Sequence, residues 1–583
     1  MNDLKRLFRY LGGYRRDLIL GALFVIVETG FELIIPVLMA DIIDIGVANR
    51  DLTFIWIKGA EMGVCAVLAL ITGLLYARYA ARASYGFGAQ IREAQYEQVQ
   101  KFSFANLDHF ETSSLVTRMT TDVTVLQNSI NGGFRPMVRG PVMLVMGIAL
   151  AFMMNATLSL VFFVSTPLLA VILYFITRKV APMYGRLQKA VDRLNSLVQE
   201  GLVAIRAVKA FVRGDYEEEK FQTVNLELMQ TSQKTFQYAV LNQPAFQFIM
   251  YTAIVLIMWF GGNMILKGSL KVGALTGFLS YVMQVMNSLM MISNVFLLLT
   301  RSLASAKRVI EVLDEQPTLA SAEGAETVIP DGSIDFENVS FKYKEEAQEY
   351  ALSGVTLHIS AGQTVGILGG TGSAKTTLVQ LIPRLYDVSE GRVCVGGRDV
   401  RGYDLTALRD AVGIVLQKNV LFSGSVRENL LWGNREADDE TIWRTCRDAC
   451  ADEFLRRMPQ GLDTDLGQGG VNVSGGQKQR LCIARALLKQ PKILIFDDST
   501  SAVDTATEAK IRTSLAKLTE VTKIIIAQRV TSVIETDQII ILDDGRIHAC
   551  GTHAELLKSD PIYQEIYYSQ MKGEGEDGAE ACR

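Results

Sequence analysis

Residues 140–177 contain no Asp, Glu, Lys or Arg. As one helix this run would extend about 57 Å at about 1.5 Å per residue, nearly twice the roughly 30 Å hydrocarbon layer of a bilayer. It therefore has to be two helices, with the polar Asn155, Ala156 and Thr157 at the hairpin. Charge-free runs at 235–266 and 272–300 flank a Lys-Gly-Ser-Leu-Lys turn, and a shorter run covers 62–77. A first stretch, 18–40, is interrupted by Glu28 and Glu32 and completes six expected spans. Lys5, Arg6, Arg9, Arg15 and Arg16 precede it, whereas Asp41, Asp44 and Asp51 follow it against only Arg50 and Lys58. That bias predicts a cytoplasmic amino terminus in a multi-pass protein of the cell membrane. No small-residue cleavage site follows the first apolar run, so it reads as an anchor rather than a signal peptide.

Between spans two and three, and again between four and five, lie polar segments with helical periodicity, expected to continue as helices into the cytoplasm. The membrane domain is expected over 1–317, a linker over 318–332, a second domain over 333–571, and an acidic tail without fixed structure over 572–583. The chain has 58 basic and 62 acidic residues, a balance that offers nothing to nucleic acid. Its seven cysteines include no CxxC pair; Cys446 and Cys450, one helical turn apart without a histidine, read as reduced core thiols and not a zinc site.

From Ser333 onward strand-like and helical runs alternate, which predicts an α/β domain around a mostly parallel sheet. An apolar Thr-Val-Gly-Ile-Leu strand runs into Gly369, Gly370, Thr371, Gly372, Ser373, Ala374, Lys375, Thr376 and Thr377, the context a phosphate-binding loop requires. Glycines let backbone amides close on phosphates, Lys375 reaches the terminal ones, and Thr376 offers a hydroxyl to Mg2+. Ala374 stands where a glycine is expected before the lysine, tolerable if its dihedrals are helical. A second apolar strand, Ile-Leu-Ile-Phe, ends in Asp497 and Asp498.

"VSGGQKQRLCIARAL" from Val473, followed by "ILIFDDSTSAVD", resembles the signature and Walker B segments of ATP-binding cassette (ABC) proteins. With six amino-terminal spans, the whole chain resembles a half-transporter of the exporter type: a helical membrane domain followed by an α/β P-loop ATPase domain. The resemblance implies ATP and Mg2+ as cofactors, Tyr343 stacking on adenine, Gln417 as the Q-loop residue at magnesium, Asp497 holding magnesium, and Asp504 as the D-loop aspartate. It implies that Ser474, Gly475, Gly476 and Gln477 bind a nucleotide held mainly by a second chain. "HFETSSLVTRMTTD" and "EGLVAIRAVKAF" resemble the first and second coupling regions.

Two positions depart from the family pattern. Asp498 replaces the catalytic glutamate, withdrawing the carboxylate by about 1.5 Å, one carbon–carbon bond. Gln528 replaces the switch-loop histidine and can donate a hydrogen bond but cannot carry a proton. The signature is nearly intact, with only Val473 in place of leucine. A weak catalytic half beside a good signature predicts a heterodimer with a second, different half-transporter. The cargo expected from the resemblance is small and amphipathic: drugs, lipids or peptides. A homodimeric exporter and an ATP-gated regulator or channel are the alternatives, whereas six spans exclude a soluble DNA-repair ATPase. Glu28 and Glu32 share one helix face. They read equally as a cation-binding pair or as partners of basic residues. Gln284, Asn287 and Asn294 lie among methionines in span six, where packing is favoured over ligand contact.

Overall fold

The computed structural model describes residues 6–498 and 504–580. They form two compact units: one runs to Gln100 and resumes over Thr112–Glu315, and the other joins Lys101–Glu111 to the chain from Gln316 onward. The helices up to that boundary include α1 (Arg15–Asp41), α2 (Leu52–Gln100), the short α3 (Phe104–His109), α4 (Val123–Met154), α5 (Ala156–Val203), α6 (Ile205–Ala210), α7 (Gly214–Ala239), α8 (Asn242–Leu266) and α9 (Val272–Asp314).

Six helical stretches among the described residues are long and apolar enough to cross a membrane, from Phe8–Val47 to Val272–Val295. The charge-free run of 140–177 breaks where its length demands. Asn155 caps α5, its side-chain oxygen accepting from the Leu158 amide at 3.0 Å. Asp44 likewise caps α9, accepting from the Gly273 and Ala274 amides at 2.5 and 2.9 Å. The polar segments after spans two and four are helical, as their periodicity implies. Helix α2 runs unbroken to Gln100, and α5 and α7 are joined through the short α6.

Within this unit α4 packs on α9 through small residues. Gly133, Gly140 and Gly147 recur every seven positions, and a Cβ there would come within 2.5, 2.8 and 2.9 Å of Leu298, Ile292 and Val285. Lipid supplies no hydrophobic drive between helices, so close approach at such a seam is what holds them. Met286 is part of the adjoining core, while Asn287 and Asn294 are exposed and Gln284 is half-buried.

Glu28 and Glu32 meet a matching pair on α4. Glu28 pairs with Arg135, Glu32 accepts from Arg139 at 2.5 Å, and Arg139 also lies 3.9 Å from Glu28. The Arg135 guanidinium sits over the Tyr76 ring at 5.6 Å. Of the two roles open for these carboxylates, pairing with basic residues is the one this geometry provides. Arg135→Ala strands the buried Glu28 charge, with Arg139 as only a distant substitute. It is expected to destabilise the detergent-solubilised chain by about 2 kcal/mol, read as a lowered thermal midpoint. The Glu28→Gln, Arg135→Ala double variant should recover part of that loss.

The second unit contains two sheets. β1 (Ile334–Phe341), β2 (Leu352–Ile359), β4 (Glu390–Val395) and β5 (Arg398–Asp399) form an antiparallel sheet in the order β2-β1-β4-β5. β3 (Thr364–Leu368), β6 (Val412–Val415), β7 (Ile493–Asp497), β8 (Thr522–Ile526), β9 (Gln538–Asp543) and β10 (Arg546–Gly551) form the other, β10-β9-β3-β8-β7-β6, parallel except at β10. The expectation of one mostly parallel sheet thus holds for the second sheet only. No crossover helix separates β1 from β2, and without one consecutive neighbours pair antiparallel. Cys446 and Cys450 are buried in the core of this unit, and burial pushes the Cys446 thiol up to about 12.

Three segments bear on the expected boundaries. Residues 318–332, expected as a linker, lie along the second unit: Leu319 and Ile329 are buried, Glu326 bridges to Tyr403, and Lys492 donates to the Pro330 carbonyl at 2.8 Å. Helix α3 also belongs to this unit although it lies between spans two and three. The last helix continues through Glu580, into the segment expected as an acidic tail.

Candidate functional site

β3 is apolar and buried, and it ends at Gly369, where any Cβ would meet the Leu542 carbonyl oxygen at 2.1 Å. Only glycine lets the chain turn there, and the loop then wraps into helix α10 (Lys375–Gln380). Ala374, at the start of that helix, has φ +67° and ψ +26°. The condition for a tolerable Cβ is therefore not met: the backbone is left-handed, which costs a residue with a Cβ roughly 1–2 kcal/mol. Ala374→Gly is expected to stabilise the nucleotide-free chain by about 1 kcal/mol of relieved strain. A raised thermal midpoint of the full chain measures it.

The Lys375 ammonium folds back on the loop, donating to the Gly369 and Gly370 carbonyls at 2.9 and 2.7 Å and to the Ser373 hydroxyl at 3.3 Å. Burial holds its pKa below the usual lysine value, opposed by the charges of Asp498 and Asp497. Thr376 donates to Asp497 at 2.9 Å. Asp497 ends β7 nearly fully buried, and burial raises its pKa, with the Thr376 hydrogen bond working against that shift. A hydroxyl and a carboxylate side by side offer the hard oxygen donors that magnesium takes, the remaining positions falling to phosphate and water.

These residues line one cleft of about 600 Å³ together with Tyr343, Thr371, Gly372, Thr377, Gln417, Asp498 and Gln528. The size suits a nucleotide. Tyr343 is half-exposed, and its hydroxyl is 2.8 Å from that of Thr377. Edge contacts with Phe341 and Tyr386, at 4.9 and 5.4 Å between centroids, hold the ring as a wall of the cleft. Asp498 has φ +47°, and its amide donates to the Ile526 carbonyl at 3.1 Å. Gln528 donates its side-chain amide to the Asp498 carboxylate at 2.6 Å. None of the four histidines lines the cleft: His548 lies 3.0 Å from Asp560, His553 2.6 Å from the Tyr563 hydroxyl, His358 beside Asp335, and His109 in α3.

The signature segment lies apart from this cleft. Ser474 caps helix α11 (Gly475–Leu488), accepting from the Gln477 amide at 3.3 Å while the Gln477 side chain accepts from the Ser474 amide at 2.9 Å. Neither these residues nor Gly476 line the chain's own P-loop cleft. Asp504 caps helix α12 (Thr505–Ala516), and hydrogen bonding to Thr507 lowers its pKa. The stretch between Asp498 and Asp504 lies outside the described residues.

Sequence reasoning passed over two groups of residues. Ile566 and Gln570 of α13 (Pro561–Glu580) also line the cleft. The other is helix α3, which ends at His109, where the first segment resembling a coupling region begins. Its Asp108 accepts from Tyr386 at 2.7 Å, and Asn106 contacts the Gln316 carbonyl and Thr318 amide at 2.9 and 3.1 Å. Burial, then the Asp108 contact, raise the Tyr386 pKa. The Ser103–Asn106 capping box was the legible signal.

Residues 18–289 match the family model for the ABC transporter transmembrane region, and 352–501 match the family model described as ABC transporter. The chain is 38% identical over 563 residues to the uncharacterized ABC transporter ATP-binding protein YfiB of Bacillus subtilis, covering 96% of this chain and 97% of that one. It is 30% identical over 572 residues to an ATP-dependent lipid A-core flippase of Desulfotalea psychrophila, covering 97% and 99%. Among solved structures, a bacterial Atm1-family ABC exporter with ATP bound matches with a TM-score of 0.80 and 25% identity, over 96% of this chain and 98% of that one. Six apolar helices, a phosphate-binding loop facing a buried aspartate, and a separate capped signature helix agree with those matches, and the chain belongs to the ABC transporters as an exporter with its membrane and ATP-binding domains on one polypeptide.

Proposed function

We propose that this chain is one subunit of a heterodimeric exporter of amphipathic compounds, contributing a slowly hydrolysing ATP site of its own and an intact signature to its partner's competent site. The observation that carries this reading is the 2.6 Å hydrogen bond from Gln528 to Asp498. The acid in the base position is one carbon short, and its neighbour is an amide that cannot take up a proton. General-base catalysis is typically worth about 100- to 10,000-fold, so a misplaced base leaves a site that binds and turns over slowly. Left-handed Ala374 adds a third departure in the same cleft. Thr376, Gln417 and Asp497 would hold Mg2+, and Tyr343 would supply a face for adenine. The amino terminus and the ATP-binding domain are cytoplasmic. The lipid A-core flippase among the relatives supports an amphipathic, lipid-like cargo.

Photolabelling with radioactive 8-azido-ATP under turnover conditions tests the reading on the co-purified pair of subunits. Label at this chain's site should persist as the triphosphate while the partner's is converted to diphosphate. Brisk phosphate release by the isolated chain in proteoliposomes would instead support a homodimer. Nucleotide binding without uphill transport by the pair would support a gated channel.

A further inference from the structure

Helix α13 reaches the nucleotide cleft from the far carboxyl end of the chain. Tyr563, Ile566 and Gln570 are spaced i, i+3 and i+7, so they lie along one face. Tyr563 is fully buried and anchored by its hydroxyl at 2.6 Å from His553, while Ile566 and Gln570 line the cleft. The Gln570 side chain uses both ends of its amide on the switch loop. Its nitrogen donates to the Gln528 carbonyl at 2.8 Å, and its oxygen accepts from the Val530 amide at 2.8 Å. Gln528 in turn donates to Asp498. A continuous hydrogen-bonded path thus links α13 to the carboxylate beside Lys375.

From this path we infer that Gln570 is a positioning residue for the switch loop, holding the Gln528 amide on Asp498 and thereby setting how long a nucleoside triphosphate stays in the cleft. The sign follows from charge. Asp498 lines the same cleft as Lys375, the residue that would meet a terminal phosphate. An amide donor on the carboxylate offsets part of its negative charge. With the loop unclamped, that donor leaves and the carboxylate faces the terminal phosphate with one hydrogen bond fewer. Triphosphate is repelled, whereas a diphosphate, which lacks that group, is not.

The inference rests on the reading of this cleft as an ATP site, and mant-ATP and mant-ADP dissociation from the full chain in phosphatidylcholine nanodiscs tests it. Gln570→Ala is expected to speed mant-ATP release about 3- to 10-fold, the weight of one or two net hydrogen bonds, with mant-ADP release unchanged. Gln528→Ala should do the same, and the double variant should exceed neither single one, because both remove the same contact. Gln570→Glu keeps the acceptor for Val530 but opposes the Gln528 carbonyl. It should release mant-ATP as fast as Gln570→Ala with an unchanged nucleotide-free thermal midpoint, which covers any loss of folding in the alanine variant. Wild-type release rates in Gln570→Glu, equal acceleration of mant-ADP, or multiplying effects in the double variant would overturn the assignment. Failure of the slow-site reading looks different: the wild-type chain then hydrolyses briskly alone, and the same non-additivity between positions 570 and 528, read in kcat, still decides the role of Gln570.

Discussion

Gly475→Asp is expected to lower ATP turnover by the assembled two-subunit transporter about 100- to 1,000-fold, the scale of losing preorganised stabilisation of developing negative charge. A Cβ on Gly475 meets nothing within 4 Å, and an acidic side chain in the first turn of α11 favours the helix through its dipole. The domain should therefore fold as before. What changes is the anion site: a fixed carboxylate stands where the helix amino terminus would meet a phosphate. Asp498→Asn, at the chain's own base position, should leave turnover of the same assembly nearly unchanged. Phosphate release from proteoliposomes measures both. Equal losses from the two variants would mean that both composite sites work alike, contrary to the proposed asymmetry.

Converting Asp498 to Glu and Gln528 to His in one chain should raise turnover at this chain's own site about 100-fold or more, the usual worth of a correctly placed general base. The single changes should each recover less, since the two positions touch and their effects are coupled. Recovery should stop short of a native glutamate site, because position 498 has φ +47°, a conformation that aspartate accepts more readily than glutamate. Single-turnover hydrolysis of radiolabelled ATP by the pair, with the partner's P-loop lysine replaced, isolates this site. No gain from the double conversion would place the cause of slow turnover elsewhere, with the strained Ala374 next in line.

Much of the architecture was legible because it follows from chain-local physics. The hairpin at Asn155 is dictated by bilayer thickness, and the P-loop by a buried strand running into glycines and lysine. The pairing of Thr376 with Asp497 across 121 positions was implied by the motifs and appears as a 2.9 Å bond. The reading of Ala374 failed at its condition, because the identity of a residue does not fix its dihedrals; the turn geometry around it does.

Sequence by itself determined the six spans, the two-domain order and most of the residues that line the P-loop cleft, since length, charge and motif spacing act over a few turns of chain. Only the tertiary structure decided that Glu28 and Glu32 are met by Arg135 and Arg139, that α3 belongs with the ATP-binding unit, and that Gln570 of α13 hydrogen-bonds to Gln528 and Val530. Each of these depends on groups tens to hundreds of residues apart, whose charges and hydrogen bonds find partners only when packing brings them within about 3 Å.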